Sequence, residues 1–235
     1  MKVILLRYTP DGVKLIAESC RVSGVPSSFK DGEIINMVVN NDYSSVLEHI
    51  SFTFDIRDIS IALSRELLEH RVASHTARST RYQDETDFNY YIPPEFSKNK
   101  KALKLYQNVI ESQQKAYREL GNLNISKESS RYVMPMSAHT NYILSINTRS
   151  LINFLGLRLC IRAAPEMREL ADKLYGIVVE LYPEIFSNLG CRGINMRVCP
   201  ENDIRDSEQG KGCPYRVVGS KLYIPTKDKI KNTKY

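Results

Sequence analysis

Long hydrophobic runs are missing from this sequence. No apolar segment approaches the roughly 18 residues that a membrane-spanning helix needs. The apolar run that starts at Val3 is also too short for the core of a secretory signal. We therefore expect a soluble, cytoplasmic protein.

Cysteine is scarce, with five residues in a chain of 235. They are scattered along the chain as Cys20, Cys160, Cys191, Cys199 and Cys213. This distribution is too sparse for a disulfide framework, so reduced thiols are expected, with Cys160 packed among helical neighbours. No CxxC pair occurs and no histidine follows His139, which leaves a zinc ion without an obvious fourth ligand. We predict no metal site.

Several common catalytic and phosphate-binding motifs are absent as well. The chain contains no GxGxxG, GxxxxGKS/T, HExxH or GxSxG. The usual dinucleotide folds, phosphate loops, zinc proteases and serine hydrolases therefore have no support from motifs.

The composition that is present is that of an ordinary globular protein with a modest positive charge. Hydrophobic residues make up 42% and charged residues 26% of the chain, which is enough for a sizeable core. The length predicts one elaborated domain, with two small domains as the alternative. Lysine and arginine total 33 against 27 acidic residues, a net charge of +6. This excess suits a phosphate-bearing ligand or a nucleic acid.

Hydrophobic periodicity predicts an α+β protein in which helices outnumber strands. The predicted strands are Lys2–Tyr8, Ser51–Arg57 and Tyr142–Asn147. The predicted helices lie around Leu15–Cys20, at Asp31–Asn40, Ile59–Arg71, Lys98–Leu120 (with Val109 inward), from Ser126, at Ser150–Leu157 and at Pro165–Tyr182. Residues 72–97 are predicted to be a loop and a connector, and a short hairpin is predicted at Arg216–Tyr223.

The densest polar cluster runs from Glu66 to Tyr82, at the end of a predicted helix and in the loop after it. A helix C-terminus attracts cations by itself, so His70 and Arg71 could simply cap the helix. Ser79 and Arg81 lie two residues apart, which in an extended loop directs both side chains to one side. A hydroxyl and a guanidinium on one side suit a phosphate.

This run resembles the signature of the flavin-dependent thymidylate synthases, in which Arg-His-Arg is followed after seven residues by Ser and usually by x-Arg-Tyr. The residues that match in register are His70, Arg71, Ser79, Arg81 and Tyr82. Further segments match family blocks in order and at suitable spacing: Ser45–His49, Arg131–Pro135 and Asn147–Arg158. The resemblance covers roughly residues 1–185, and four ordered blocks make it specific.

The main departure from the family signature is Glu69, an anion where the pattern begins with an arginine. A second acidic residue, Glu66, lies one turn earlier at a nucleotide-contacting position. Glu69 is expected either to face the flavin or to pair with Arg65, four residues earlier on the predicted helix.

The resemblance implies a central twisted, mainly antiparallel sheet flanked by helices. The implied catalytic domain covers residues 1–189, and a basic, weakly patterned extension covers residues 190–235. A homotetramer with active sites shared between subunits is also implied. Each site would hold FAD and dUMP, use NADPH and methylenetetrahydrofolate as co-substrates, and produce dTMP.

The resemblance also assigns site residues position by position. Those expected to contact FAD are Ser45, Glu69, His70, Arg71, Asn147, Arg149 and Asn153. Those expected to contact the nucleotide are Glu66, Ala77, Arg78, Ser79, Thr80, Arg81, Arg158 and, from a neighbouring subunit, Arg131. Arg158 is also the expected catalytic residue, because its guanidinium would stabilise negative charge on the uracil ring.

Some of these residues have a purely structural alternative. Asn147 and Asn153 could satisfy backbone groups. Arg149 could be a solvated cation, and Arg158 could be a favourable charge at a helix end.

The histidines outside the signature have no supporting pattern. We interpret His49 and the adjacent Glu48 as a structural pair. His75 and His139 are interpreted as surface residues.

Two other functions stay open on the sequence alone. The close alternative is an enzyme that methylates another uracil nucleotide such as UMP, because Glu66, Glu69 and Thr76 alter the nucleotide pocket. A non-catalytic nucleic-acid-binding protein is the second alternative. Against it, the arginines lie in the family-like blocks, and the aromatic stacking motifs of RNA-binding modules are absent.

Overall fold

One open sheet is formed by the strands of the computed structural model, which describes residues 1–41, 43–201, 213–216 and 219–226. The strands are β1 (Lys2–Tyr8), β2 (Ser51–Ser60), β3 (Ser74–Ala77) and β4 (His139–Asn147). Their order in the antiparallel sheet is β1-β2-β4-β3. The predicted antiparallel sheet is therefore confirmed.

Helices connect the strands. The described α-helices are α1 (Gly12–Val22), α2 (Asp31–Asn40), α3 (Ile61–Leu67), α4 (Pro94–Ser97), α5 (Lys100–Asn122), α6 (Lys127–Ser130), α7 (Thr148–Arg158), α8 (Pro165–Leu181), α9 (Pro183–Phe186) and α10 (Arg192–Met196). Short 3-10 helices occupy Ser44–His49, Arg131–Val133 and Pro214–Arg216. The predicted α+β class is confirmed.

Contacts between residues divide the chain into two compact units. The first unit contains Met1–Leu6 and Thr53–Ser145. The second contains Arg7–Phe52 and the described part of Ile146–Tyr235. The domain boundary expected at residue 189 stays a prediction.

The first unit is built on the pairing of β3 with β4. The two strands run antiparallel in a register that places Ser74 opposite Ser145 and Ala77 opposite Tyr142. A small hydrophobic cluster organises the connection after β3. It contains the buried Phe88, Ile110 and Ala138, with Ile61, Tyr90, Tyr106 and Met134 packed against them. Burial of these side chains gives residues 78–93 a defined path despite their lack of regular structure.

An aromatic cluster lies in the core of the second unit. Tyr182 and Phe186 make edge-to-face contacts with Phe52, with ring centroids 6.1 Å and 6.3 Å apart. The Tyr182 hydroxyl accepts a 3.2 Å hydrogen bond from the N–H of Gly12 and donates one to the carbonyl of Thr9. These bonds fasten the start of α1 to the residue that follows α8.

Helix α3 differs most from its predicted bounds. The prediction of a helix over Ile59–Arg71 is wrong at both ends, because β2 continues to Ser60 and the helix ends at Leu67. The Ser60 hydroxyl accepts a 2.9 Å hydrogen bond from the Leu63 N–H. This N-cap favours a helix start after Ser60, whatever the periodicity of the neighbouring residues.

Other deviations have similarly local causes. The loop predicted over residues 72–97 contains β3, which is four residues long and too short to show a period of two. Val109, predicted to face inward on α5, is exposed, whereas Ile110 and Tyr117 are buried. The hairpin predicted at Arg216–Tyr223 includes residues 217 and 218, which lie outside the described residues.

Candidate functional site

A tight turn follows β3 and carries the serine and the arginine assigned to a phosphate. The Ser79 carbonyl accepts backbone hydrogen bonds from Tyr82 at 3.3 Å and Gln83 at 3.1 Å. The segment is therefore a turn, and the expectation of an extended loop is wrong. Strand-like alternation does not determine where Ser79 and Arg81 point. Ser79 is half-buried, and Arg81 is exposed.

Helix α6 is fastened to this turn by two contacts. Nε of Arg81 lies 3.0 Å from Oε1 of Glu128, and Nζ of Lys127 donates a 3.3 Å hydrogen bond to the Tyr82 carbonyl. Arg131 follows α6 directly. We define the turn cluster as Ser79, Arg81, Lys127 and Glu128. It gathers two cations and one carboxylate from two distant segments of the first unit.

Two assigned arginines, Arg81 and Arg131, lie over tyrosine rings. The guanidinium carbon is 5.4 Å from the ring centroid in each of the pairs Arg81–Tyr82 and Arg131–Tyr132. The tyrosines are 71% and 80% exposed. Such contacts contribute about 0.5–1 kcal/mol at exposed sites. They orient the guanidinium groups at the surface, where an anion can reach them.

Arg78, which the resemblance assigns to the nucleotide, is held inside the first unit. Its Nε donates a 2.6 Å hydrogen bond to Oε1 of Glu85, and an Nη donates to the Asp84 carbonyl at 3.2 Å. The Arg78 N–H donates to the Asn141 carbonyl at 2.8 Å. Glu85 is buried. In this structure Arg78 anchors the chain on either side of the turn.

A polar cavity of about 370 Å³ lies beside Arg78. It is lined by Asp58, Arg78, residues 84–89 and residues 139–141. His139 is half-buried here, and burial lowers its pKa, an effect partly opposed by the Asp58 carboxylate. The interpretation of His139 as a surface residue is wrong.

His75 is also not a surface residue, because its half-buried ring bridges two partners. Nε2 lies 3.0 Å from the His70 carbonyl, and Nδ1 lies 2.9 Å from the Tyr142 hydroxyl. A carbonyl only accepts, so Nε2 carries the proton, and in the neutral ring Nδ1 accepts from the tyrosine. Burial raises the pKa of Tyr142, which favours its role as the donor. The pair thereby orients the backbone at His70, a residue assigned to the flavin.

The residues around Glu69 lie beyond the end of α3. Glu69 and Arg71 are exposed, while Glu66 and His70 are half-buried. Glu69 forms no ion pair within the described residues. The i,i+4 pairing with Arg65 requires a continuous helix, and α3 ends at Leu67.

The second unit holds the remaining assigned residues around α7. Asn147 is its N-cap and accepts a 2.9 Å hydrogen bond from the Ser150 N–H. Oδ1 of Asn153 accepts a 3.0 Å hydrogen bond from Arg192. Arg158 is the half-buried last residue of α7, and Ser45 is exposed on the 3-10 helix before β2. The structural role suggested for Asn147 is thus present, since its side chain caps the helix.

Glu48 pairs with an assigned residue and not with its neighbour. Its Oε1 accepts a 2.5 Å hydrogen bond from Nη1 of Arg149, and both side chains are about half exposed. The interpretation of Glu48 and His49 as a structural pair is wrong. The Arg149–Glu48 contact joins α7 to the 3-10 helix that carries Ser45.

The assigned residues fall into two groups by unit. The first unit holds Glu66, Glu69, His70, Arg71, residues 77–81 and Arg131, and the second holds Ser45, Asn147, Arg149, Asn153 and Arg158. Sequence reasoning missed four of their charged partners, namely Glu48, Glu85, Glu128 and Arg192. Glu48 lies inside a family-like block, and this position could have indicated its link to the site. The sequence gives no such signal for the other three, since only folding brings them to their partners.

The second unit also contains a cavity of about 30 Å³ that four cysteines line. They are Cys160, Cys191, Cys199 and Cys213. Cys160 follows α7, is half-buried and lies against this cavity. None of these cysteines forms a disulfide. Burial raises the pKa of the Cys160 thiol, and the nearby Cys191, Glu201 and Cys199 add smaller effects in the same direction.

The described residues contain neither a preformed metal site nor a helix suited to a membrane. No three histidine, cysteine, aspartate or glutamate side chains lie in an arrangement that could hold a metal ion as they stand. No helix in the described part of the chain is long and apolar enough to cross a membrane.

A comparison with known protein families shows the family to which the segments with the assigned site residues belong. The model of the thymidylate synthase complementing protein family matches residues 4–184. This match covers every assigned site residue from Ser45 to Arg158. The chain therefore belongs to the thymidylate synthase complementing protein family, and the resemblance inferred from the sequence is confirmed.

Individual relatives have a name that is more specific than the description of the family. Proteins named flavin-dependent thymidylate synthase from Nitratidesulfovibrio vulgaris and Clostridium tetani are 31% and 32% identical to this chain. Each alignment covers 86% of this chain, and 92% and 91% of the relative. A protein of the same name from Geobacter sulfurreducens is 35% identical over 86% of this chain and 91% of its own length. The alignments thus extend over nearly the full length of these enzymes.

Proposed function

We propose that this protein is a thymidylate synthase of nucleotide biosynthesis that converts dUMP to dTMP. Methylenetetrahydrofolate would donate the carbon, NADPH would act as the reductant through FAD, and the reaction would take place in the cytoplasm. Family membership and the names of the relatives support this proposal.

The turn cluster is the observation that carries the proposal. The half-buried Ser79 lies on the same turn as the Arg81 guanidinium, and α6 brings Lys127 to this turn. Arg131 of a neighbouring subunit would complete the phosphate site. A guanidinium has five donors, and Glu128 lies near the Nε of Arg81. The nucleotide phosphate would take the place of this carboxylate or share the guanidinium with it.

The residues assigned to FAD fit an anionic dinucleotide by their chemistry. Arg71 and Arg149 are exposed cations, one in each unit. Asn147 uses its oxygen as a helix cap, so its amide group keeps two donors for a ligand. Glu69 is the exception, because an exposed carboxylate repels the cofactor phosphates. Bound FAD would supply the redox chemistry that completes the methyl group.

Arg158 is proposed as the catalytic residue. Methylation at C5 requires a polarised uracil ring, and a planar guanidinium can meet two ring atoms at once. Its contribution would grow as negative charge develops on the ring. The position of Arg158 at the half-buried end of α7 supports this role, because partial burial strengthens electrostatic interactions.

A homotetramer with shared sites is the proposed assembly. Several large apolar side chains of the first unit are exposed in a single chain, among them Val72 at 70% and Tyr132 at 80%. Such exposure suits a subunit interface. Light scattering should give a tetramer. A stable monomer that retains FAD would contradict the shared-site arrangement.

The function is tested by anaerobic incubation of the purified protein with FAD, NADPH and methylenetetrahydrofolate. Parallel samples contain dUMP or UMP, and the products are identified by mass spectrometry. We expect dTMP from dUMP and little product from UMP. Methylation of UMP alone would support the alternative substrate. Absence of product from both, in a colourless protein that binds DNA or RNA, would support the nucleic-acid-binding alternative.

A further inference from the structure

Four cysteines from separate segments meet at one cavity of the second unit. Cys160 follows α7, Cys191 precedes α10, Cys199 follows α10, and Cys213 precedes the last 3-10 helix. The fifth cysteine, Cys20, is buried in α1 and does not line this cavity. In an ordinary core, apolar side chains would fill such a space, so the convergence of four thiols calls for a chemical reason.

The backbone around these cysteines is closely packed and hydrogen-bonded. The Cys199 N–H donates to the Pro225 carbonyl at 2.9 Å, and Cys199 forms a parallel bridge with Thr226. A Cβ atom added to Gly193 would lie 3.5 Å from Cα of Cys199 and 3.7 Å from Sγ of Cys191. These are ordinary van der Waals distances, and they show that both Cys191 and Cys199 lie next to Gly193.

Arg162 and Glu201 also line the cavity beside the four cysteines. The side chain of Arg162 is itself paired with Glu201. Glu201 therefore has a partner and is not needed as a ligand.

We propose that Cys160, Cys191, Cys199 and Cys213 bind one Zn²⁺ ion through their four sulfur atoms. Four thiolates in a closed tetrahedral arrangement are characteristic of structural zinc sites. A cavity of about 30 Å³ has room for an ion and not for an organic ligand. On binding, the four thiols release their protons to the solvent and four Zn–S bonds form, with no change in oxidation state.

The four sulfurs must close on the ion, since no three potential ligands in the described residues already stand in a metal-binding arrangement. Such closure is the normal coupling of metal binding to local folding. The described part of residues 190–226 has only the five-residue α10, one 3-10 helix and an isolated bridge. A segment with so little regular structure gains stability from a cross-link. The zinc would tie it to the end of α7, with no open coordination position for catalysis.

Metal content of the full chain tests this proposal without any assay of activity. The reduced protein is stripped with a chelator, dialysed, and incubated with Zn²⁺, after which bound zinc and protein are quantified. We expect one zinc per chain for the wild type and for the control Cys20→Ser. Cys199→Ser should lose at least ten-fold in zinc affinity. Undiminished binding by Cys199→Ser, or no binding by the wild type, would overturn the proposal.

Cobalt substitution covers the case in which Cys199→Ser fails to fold. Co²⁺ bound to the wild-type protein should give strong sulfur-to-cobalt charge-transfer absorption, together with the visible bands of tetrahedral cobalt. The intensity should correspond to four thiolates. Weak bands typical of octahedral oxygen ligands would overturn the assignment. A metal-free protein in which thiol titration finds disulfides among these cysteines would also overturn it.

Discussion

The buried carboxylate of Glu85 accepts a 2.6 Å hydrogen bond from Nε of Arg78, and the Arg78 N–H is bonded to β4 through the Asn141 carbonyl. Arg78 thus connects the sheet to the segment beyond the turn that begins at Ser79. The turn proposed to bind phosphate therefore lies next to this ion pair. The first prediction tests whether this pair stabilises the first unit.

Glu85→Ala should lower the free energy of unfolding by about 1–3 kcal/mol, because it leaves a half-buried guanidinium without its carboxylate partner. Urea denaturation measures this change. Asp87→Ala is the matched control, since Asp87 pairs with Arg118 at 3.0 Å between exposed side chains. Exposed pairs contribute about 0–1 kcal/mol. Equal losses in the two variants would contradict a special role for Glu85.

Glu128→Gln should tighten dUMP binding by roughly two- to five-fold. The substitution removes the carboxylate that competes with phosphate for Arg81, and an exposed ion pair of this kind contributes about 0.2–1 kcal/mol. Calorimetry with dUMP measures the change, and deoxyuridine, which lacks the phosphate, should bind both proteins equally. Glu119→Gln, at the surface pair with Lys115 on α5, should leave dUMP affinity unchanged. Weaker dUMP binding to Glu128→Gln would show that Glu128 supports the phosphate site.

Arg158→Ala should lower turnover more than nucleotide affinity, because its interaction with the ring strengthens in the transition state. The expected loss is about 3–4 kcal/mol, or about a hundred- to a thousand-fold in rate. Arg158→Lys should recover little, since a point charge does not reproduce the planar fork. Arg81→Ala should mainly raise the KM for dUMP. FAD content is measured first, and near-normal single-turnover rates in Arg158→Ala would reject its role.

Gly12→Ala should destabilise the second unit by about 1–3 kcal/mol through overpacking. Its Cβ would lie 2.5 Å from Cδ1 of Ile50 and 2.8 Å from the Tyr182 hydroxyl oxygen. Gly32→Ala is the control, because nothing lies within 4 Å of its Cβ position in α2. The Gly32→Ala substitution should stabilise the protein by up to about 1 kcal/mol. The midpoint temperatures of thermal unfolding should therefore shift in opposite directions for the two variants. A shift in the same direction for both would contradict the packing account.

His139 should make stability fall as the solution becomes acidic. Burial lowers its pKa in the folded protein, so the unfolded chain takes up the proton first as pH drops through the ordinary histidine value of about 6.5. The loss of stability grows over this range and stops growing, without being reversed, once the pH is below the pKa of the folded protein. Urea titrations between pH 7.5 and 5 should show a smaller loss for His139→Gln than for the wild type. The same reduction in a control at the exposed His49, His49→Gln, would contradict this assignment.

Short-range sequence information was sufficient for most elements and for the family. The strand Lys2–Tyr8 and the helix Asp31–Asn40 have the predicted bounds, because local periodicity determines which face each one buries. The signature from His70 to Tyr82 and the three further blocks likewise identified the family, since the residues within each block are close in sequence. Family membership and the α+β class therefore followed from the sequence alone.

The partners of the site residues were decided by tertiary structure. The Arg81–Glu128 and Arg149–Glu48 pairs and the four-cysteine cavity join segments that are far apart in the chain. No local pattern encodes such contacts, because they depend on how helices and strands pack after they form. The cysteines illustrate the difference. Their spacing argued against a metal, whereas the fold gathers four of them around one cavity because burial of distant segments brings their side chains together.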